Sequence, residues 1–583
     1  MKYLSPKVYR KSKIQNLKSK IGFCLSLALA VVSGCSTTST RPKLPDSVPR
    51  VLAISGVQYA YGFAGAGYNT VEIFISNTTD KPVTFTGVDL DGVALPSLSI
   101  AAVQKAASAF NLGMDGVQAK APIPSISDNR ITWWQFYPSA TVQSGETILC
   151  QVGFKGGSSA HTLSLHTKNA QSVLSTSIPR YTEPADLIRA VTWSADEHTL
   201  FVQYTASAPL IDVAINGISM EGTRILQPAR EGAPFLVAVP LASKMRRGDS
   251  LLIELTFENG AIRRELLRVA PGIHLDAGDW SDKPLPAATL SRFLLDVDPA
   301  IAYHTFDVAC DDSRVKRPGE SAMRVVDSRS EAYKARYSQL AGIDFCTATT
   351  EQTWNIYGHI TDAVFVKPYR LHWGNDPMRF IEAEEECVMQ AVVSAAPRPA
   401  LWVPERFKRE RHIEAPEMRL MAWNALLSGA RGIRYHFWKN EPRDNPFRDC
   451  PELETATISL NADIRKIKHI LGALVPVRAE TDRRQGVKVR EAWSGDAGVL
   501  LLVRDMLYTT DAASDAGGIP RFQPGPTRPV TVTLDLPPWL SPGAAVDPLS
   551  EAAIPMRKEG VSHIIDLPEF SPLQLVWIPN TKK

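Results

Sequence analysis

Excess charge of either sign is missing from this sequence: 64 Lys and Arg stand against 61 Asp and Glu in 583 residues, a formal net charge of +3. No basic stripe interleaved with aromatics accompanies that balance, so the electrostatic footprint of a nucleic-acid binder is absent. A glycine-rich phosphate loop between a strand and a helix is also lacking, which argues against a doubly wound nucleotide-binding sheet. The seven cysteines show no metal-ligand spacing, and neither a metal nor a cofactor is expected. The apolar run IGFCLSLALAVV near the amino terminus is too short for a comfortable membrane span. These exclusions leave a neutral ligand such as carbohydrate. The chain is long enough for about three or four domains, each with its own core.

Arg10, Lys11, Lys13, Lys18 and Lys20 precede that run, and small residues and a cysteine follow it, which is the layout of a secretory signal. More narrowly, VSGC resembles the lipobox of bacterial lipoproteins. That resemblance implies cleavage after residue 34, with Cys35 as the new amino terminus carrying lipid, palmitate included, on its thiol and amine. Several acyl chains hold a protein firmly to a bilayer. Ser36 in place of Asp resembles the pattern sorted to the outer membrane of Gram-negative bacteria. Residues 35–50, STTSTRPKLPDSVPR after the cysteine, read as a polar tether. Of the cysteines beyond it, Cys150, Cys310, Cys346, Cys387 and Cys450, at least one stays unpaired because their number is odd.

Residues 51–183 alternate polar and apolar positions in short runs, as in VEIFISNTTDKPVTFTGV and TILCQVGFKGG, which predicts an immunoglobulin-like β-sandwich. Residues 184–270, with LIRAVTWSADEHTLFVQYTA, IDVAINGISM and LLIELTFENG, predict a second one. From 271 to 478 strands and helices alternate. The strands are GIHLDAG, IAYHTFDVAC, IDFCTATT, DAVFVKPYRLHW, ALWVPERF and GIRYHFW. The intervening helices are ATLSRFLLDV, SEAYKARYSQLAG, EQTWNIYGHI, DPMRFIEAEEECVMQAVVSAA and APEMRLMAWNALLSG. About six such strands in roughly 200 residues predict a closed but shortened (β/α)8 barrel, with LNADIRKIKHILGAL as the helix that closes it. In APEMRLMAWNALLSG, Pro416 suits a first helical position and Met418, Met421, Ala422, Ala425, Leu426 and Gly429 define one buried face. Residues 479–583 return to strands and predict a C-terminal sandwich.

A barrel works at the carboxyl ends of its strands, and polar and aromatic residues collect there. His304 and Asp307 lie in the second strand, Glu351 follows the third, and Arg370, His372 and Trp373 end the fourth. Glu405 lies toward the end of the fifth, and Tyr435, His436 and Trp438 end the sixth. Lys367 and Arg370 together would favour an acidic sugar or a phosphate group.

The order of long helix, LWVPERF, APEMRLMAWNALLSGARG and IRYHFW, then a helix and a β-sandwich, resembles the last third of bacterial glycoside hydrolases with (β/α)8 barrels. The resemblance covers residues from about 380 to 580 well and the earlier barrel loosely. It implies cleavage of a glycosidic bond, with Glu405 at the position of the nucleophile or base. A second carboxyl must protonate the leaving oxygen. The family carries an Asn-Glu pair at the fourth strand, and no strand end here reads Asn-Glu. Asp307 and Glu351 are the substitutes; Asp307 ends a clear strand, whereas Glu351 could instead cap the helix starting EQTW. His304, Arg370, His372, Trp373, Tyr435, His436 and Trp438 would line the sugar site. The alternative reading is a silent barrel in an envelope lipoprotein that binds glycan or acts as a scaffold.

Overall fold

Alternation dictates the first architecture met along the chain. In the computed structural model the strand Tyr68–Asn77 turns Val71, Ile73 and Ile75 toward Phe85, Val88, Leu163 and Leu165 of a facing sheet. Glu72 and Phe74, on the strand's other side, are buried against neighbours beyond that sandwich. The structure describes residues 50–60, 68–94, 131–155, 160–168, 173–228, 232–278, 287–295, 303–307, 340–346, 358, 361–368, 377–404, 413–436, 450–511 and 521–582. Two antiparallel sheets of this kind form each of three sandwiches, the third with an added two-stranded ribbon, Thr509–Asp511 against Arg521–Gln523. The first uses strands from Leu52 to Ile178, the second from Leu187 to Arg268, and the third from Leu474 to Pro579. Turn chemistry fixes register: Asn216 and Gly217, at φ 51° and 78°, join Ile215 directly to its partner Ile218.

Between the second and third sandwiches lies a six-stranded parallel sheet. Its strands are β1 (His274–Gly278), β2 (Tyr303–Asp307), β3 (Leu340–Cys346), β4 (Ala363–Lys367), β5 (Ala400–Trp402) and β6 (Gly432–His436). They neighbour one another in the order β1-β6-β5-β4-β3-β2. Every pairing is parallel, and the last strand returns to the first. This order is singly wound, as in a barrel, and differs from the two-directional winding of a nucleotide-binding sheet. The expected closed ring is not what the described residues form, because none of their pairings joins β1 to β2. The expected helix SEAYKARYSQLAG also gives way at its end, where Leu340–Gly342 already belong to β3.

Among the described residues the longer helices beside the sheet are α1 (Ala287–Arg292), α2 (Pro377–Ala395), α3 (Ala415–Leu427) and α4 (Pro451–Lys466). The single buried face expected of α3 is a correction, since Glu417, Met418 and every residue from Leu420 to Leu427 are buried. The cause is a second covering layer. Leu500, Leu502 and Leu575 of the C-terminal sandwich share one core with Met418, Trp423 and Ile433. The strand Gly498–Asp505, GVLLLVRD, is apolar along most of its length because its other side faces the sandwich interior through Val499, Leu501 and Val503. Glu417 accepts hydrogen bonds from the backbone N–H of Glu414 at 2.8 Å and of Phe522 at 3.2 Å, so one carboxylate caps α3 and ties down the short strand Arg521–Gln523. The helix expected to end the barrel also differs. α4 stops at Lys466, a separate one-turn helix Lys468–Leu471 follows, and Leu474 already starts the first strand of the sandwich.

Charges stitch the same interface. Glu385 of α2 accepts from Arg490 Nε at 2.7 Å, Lys488 Nζ at 2.8 Å and Arg504 Nη1 at 3.0 Å, all three from the C-terminal sandwich. Burial would raise its pKa, but the Arg490, Arg504 and Lys488 charges overcome that and hold the carboxyl below the usual range. The second sandwich joins too: Gln203 Nε2 donates to the Pro476 carbonyl at 2.6 Å, and Phe201 and Leu236 enter the C-terminal core.

The pairing of β1 with β6 depends on one small residue. Gly432 has φ 155°, and a Cβ there would stand 2.0 Å from the His274 carbonyl oxygen, a backbone atom without freedom to move aside. Gly432→Ala is expected to cost about 1–3 kcal/mol or more through this overpacking. Urea unfolding followed by tryptophan fluorescence measures it; a loss below about 0.5 kcal/mol would show that the two strands tolerate separation.

Candidate active site at the carboxyl edge of the sheet

Because all six strands run the same way, their carboxyl ends share one edge. Asp307 closes β2 in register with Asp344 of β3, which is in turn in register with Phe365 of β4. Lys367 ends β4 beside Cys346, and His436 ends β6 beside Gly278. Of the separate strand-end candidates, Asp307, Lys367 and His436 thus lie along one edge. His304 does not. It is the second residue of β2, in register with Ala341, and three residues at about 3.3 Å each set it roughly 10 Å back from Asp307 toward the amino edge.

Two faces divide the labour of the sheet. Val364, Val366, Trp402, Ile433 and Tyr435 belong to the helix-side core. Tyr435 is fully buried there, and its hydroxyl donates to Asn461 Oδ1 of α4 at 2.7 Å. That corrects its expected place in a sugar site: strand alternation turns it to the same side as Ile433, where the helices lie. Trp402 Nε1 likewise donates to Glu384 of α2 at 2.6 Å.

The opposite face carries Ala363, Phe365, Leu401 and Val403, which pack together with Ala270. Beside them, Arg434 of β6 pairs with the Asp276 carboxylate across the β1–β6 register, and its guanidinium lies 4.5 Å from the centre of the Phe365 ring. Both charged groups are buried, so each neutralises the other where water cannot. Lys367 is fully buried at the carboxyl end of this face. Sequence reasoning passed over the Asp276–Arg434 pair. Its one visible signal is a charged residue of each sign inside otherwise apolar strands, GIHLDAG and GIRYHF.

At the amino end of the sheet, His274 is buried and its pKa lies well below the usual value, first from burial and then from the Arg247 and Arg431 charges. Arg431 donates to the carbonyls of Leu474 at 2.9 Å and Gly272 at 3.0 Å, so it locks the entry of the sheet to its exit.

Asp307, His436 and the buried Lys367 thus end three strands on one edge. An edge carboxyl of this kind serves either as proton donor or as nucleophile once a second carboxyl stands opposite. Glu405, three residues beyond β5, and Glu351, Arg370, His372, Trp373, Trp438 and Cys35 lie outside the described residues. No group of three or more His, Cys, Asp or Glu suited to a metal ion occurs among the described residues.

No protein-family model and no curated protein matches the chain. Solved structures do match, and those compared are glycoside hydrolases. A noncanonic maltogenic alpha-amylase from Thermotoga neapolitana is 12% identical at a TM-score of 0.31, over 49% of this chain and 62% of that one. A GH27 β-L-arabinopyranosidase from Geobacillus stearothermophilus is 10% identical at 0.27, over 42% and 59%. A glycoside hydrolase family 5 protein from Bacteroides vulgatus is 13% identical at 0.27, over 46% and 61%. The chain therefore spans less than two thirds of each, and scores this low leave its activity to be decided by its own residues.

Proposed function

We propose that the chain is a lipid-anchored glycoside hydrolase that cleaves a glycosidic bond with two carboxyls at the carboxyl edge of the parallel sheet. Glu405 serves as nucleophile or base and Asp307 as the acid, with Glu351 the substitute for Asp307. One observation carries the reading. The singly wound order, with the last strand returned to the first, gathers Asp307, Lys367 and His436 on the strand edge that the chain leaves toward Glu405. His436 would donate to a sugar hydroxyl, and Arg370, His372, Trp373 and Trp438 would complete the site from the loops beyond the edge. Lipid on Cys35 would hold the enzyme at the envelope, at the outer membrane.

A second reading has its own support in the sequence: without an Asn-Glu pair at a strand end, the same edge would bind glycan without cutting it. A screen of the full chain in detergent, against a glycan array for binding and a polysaccharide panel for hydrolysis, separates the two. Cleavage is expected, and the configuration of the first product tells whether the carboxyls sit about 5–5.5 Å apart, giving retention, or about 6.5–9.5 Å apart, giving inversion. Binding with no cleavage of any panel member would transfer the edge to the second reading. Labelling with a radioactive fatty acid that persists in Cys35→Ala would remove the anchor.

A further inference from the structure

A buried set of charges lies far from the carboxyl edge, where the first sandwich meets the second. Gln58 Nε2 donates to the Arg264 carbonyl at 2.6 Å, and Arg264 N–H returns a bond to Gln58 Oε1 at 3.0 Å. Phe74, Tyr137 and Leu149 from one side pack with Leu252 and Leu266 from the other. Within this seam two fully buried carboxyls, Glu72 of the first sandwich and Glu265 of the second, share one guanidinium. Arg263 Nη2 donates to Glu265 Oε1 at 2.6 Å and lies 4.0 Å from Glu72 Oε2, while Arg263 Nη1 donates to the Tyr59 carbonyl at 2.7 Å. Gln58 adds a 2.9 Å bond to Glu72, and Arg264 is engaged by Glu254 at 2.7 Å.

The amino edge of the parallel sheet contributes Arg398, whose guanidinium lies 4.5 Å from the centre of the Tyr137 ring, and Asp362, which accepts from the Tyr137 hydroxyl at 2.7 Å. Two like charges brought together out of water cannot both ionise at the ordinary pH.

We propose that this seam is a pH-operated latch, shut while Glu265 keeps a proton beside the Glu72 carboxylate and loosened once Glu265 is charged as well. The proposal is independent of the catalytic reading. Burial, aided by the Glu72 charge and only partly offset by Arg263 and Arg398, pushes Glu265 up to about 7. The sign follows from that direction. Once the seam opens, Glu265 meets water and returns toward its ordinary value of 4.5. Between those two values the closed state keeps a proton that the open state gives up, so closure weakens as pH rises toward 7 and changes no further above it.

Hydrogen–deuterium exchange of the full chain from pH 5.5 to 8.5, corrected for intrinsic exchange, reads the latch in peptides covering 68–77 and 262–268. Opening should become easier by up to about tenfold per pH unit below 7 and level off above it, with residues 498–505 unaffected. Glu265→Gln should stay protected at every pH. Protection that is constant across the range in the native chain overturns the latch, as does a slope that survives in Glu265→Gln. A parallel change in residues 498–505 overturns it too, because that would be global unfolding. Should Glu265→Gln fail to fold, Glu72→Gln decides. Removing the neighbouring negative charge must bring the levelling-off to lower pH, and an unmoved profile refutes the proposal.

Discussion

Glu385→Ala is expected to lower the free energy of unfolding by about 3–5 kcal/mol, the cost of leaving buried charges without their partner. Arg490 and Arg504 are almost wholly enclosed, at 6% and 1% side-chain exposure, and the carboxylate that neutralises both comes from a different layer of the molecule. Arg504 keeps a weaker bond to Glu382 at 3.4 Å, which does not replace it. The sign of the pH dependence is fixed by the depressed pKa of Glu385. Its contribution is complete above the ordinary value of 4.5 and is lost as pH falls through the lower folded value, so acid unfolding of the native chain should be steeper than that of Glu385→Ala. Equilibrium urea unfolding at pH 7 and at pH 4 measures both statements. A cost under about 1 kcal/mol would show that water reaches the guanidinium groups after substitution.

Glu405→Gln should reduce hydrolysis by at least about a thousandfold, equivalent to about 4 kcal/mol of transition-state stabilisation. The amide has the shape of the carboxylate but cannot attack an anomeric carbon or take a proton from water. Binding of the uncleaved glycan should survive, since the amide retains an acceptor oxygen. Asp307→Asn should behave differently. A substrate whose leaving group departs without a proton, such as an aryl glycoside, needs no general acid, so its cleavage should fall much less than that of a natural glycan. Activity retained in Glu405→Gln would remove that residue from the mechanism. An equal loss on both substrate types in Asp307→Asn would deny Asp307 the role of acid.

All six parallel strands were legible, because each is a short apolar run punctuated by turn residues, and GIRYHF lost only its boundaries. Long-range facts were hidden. Alternation in IRYHFW sets Tyr435 on the side of Ile433, but which side the helices cover is not local, and its hydroxyl partner Asn461 lies 26 residues on. Asp276 and Arg434 read as ordinary polar interruptions until the return of β6 to β1 brings them together. The α3 pattern showed one apolar face because periodicity measures contrast, and a helix covered from two sides has little contrast to show. The apolar repeat of LNADIRKIKHILGAL ran across a break in the backbone, so a single expected helix became two helices and the start of a strand. Seven of the expected site residues, Glu405, Glu351, Arg370, His372, Trp373, Trp438 and Cys35, lie in segments where neither strand nor helix is described.

The return of β6 to β1 also sets a timetable for biosynthesis. Asp276 and its partner Arg434 are 158 residues apart, so at the usual pace of translation β1 waits roughly 8–30 s for its neighbour to leave the ribosome. Both leading sandwiches can mature during that interval, because among the described residues their strands pair with one another and with no later strand. A nascent chain halted before residue 432 would display the bare margin of β1, ready to recruit a strand from any other stalled copy. Cells that overproduce the protein should therefore accumulate aggregates rich in prematurely terminated polypeptide.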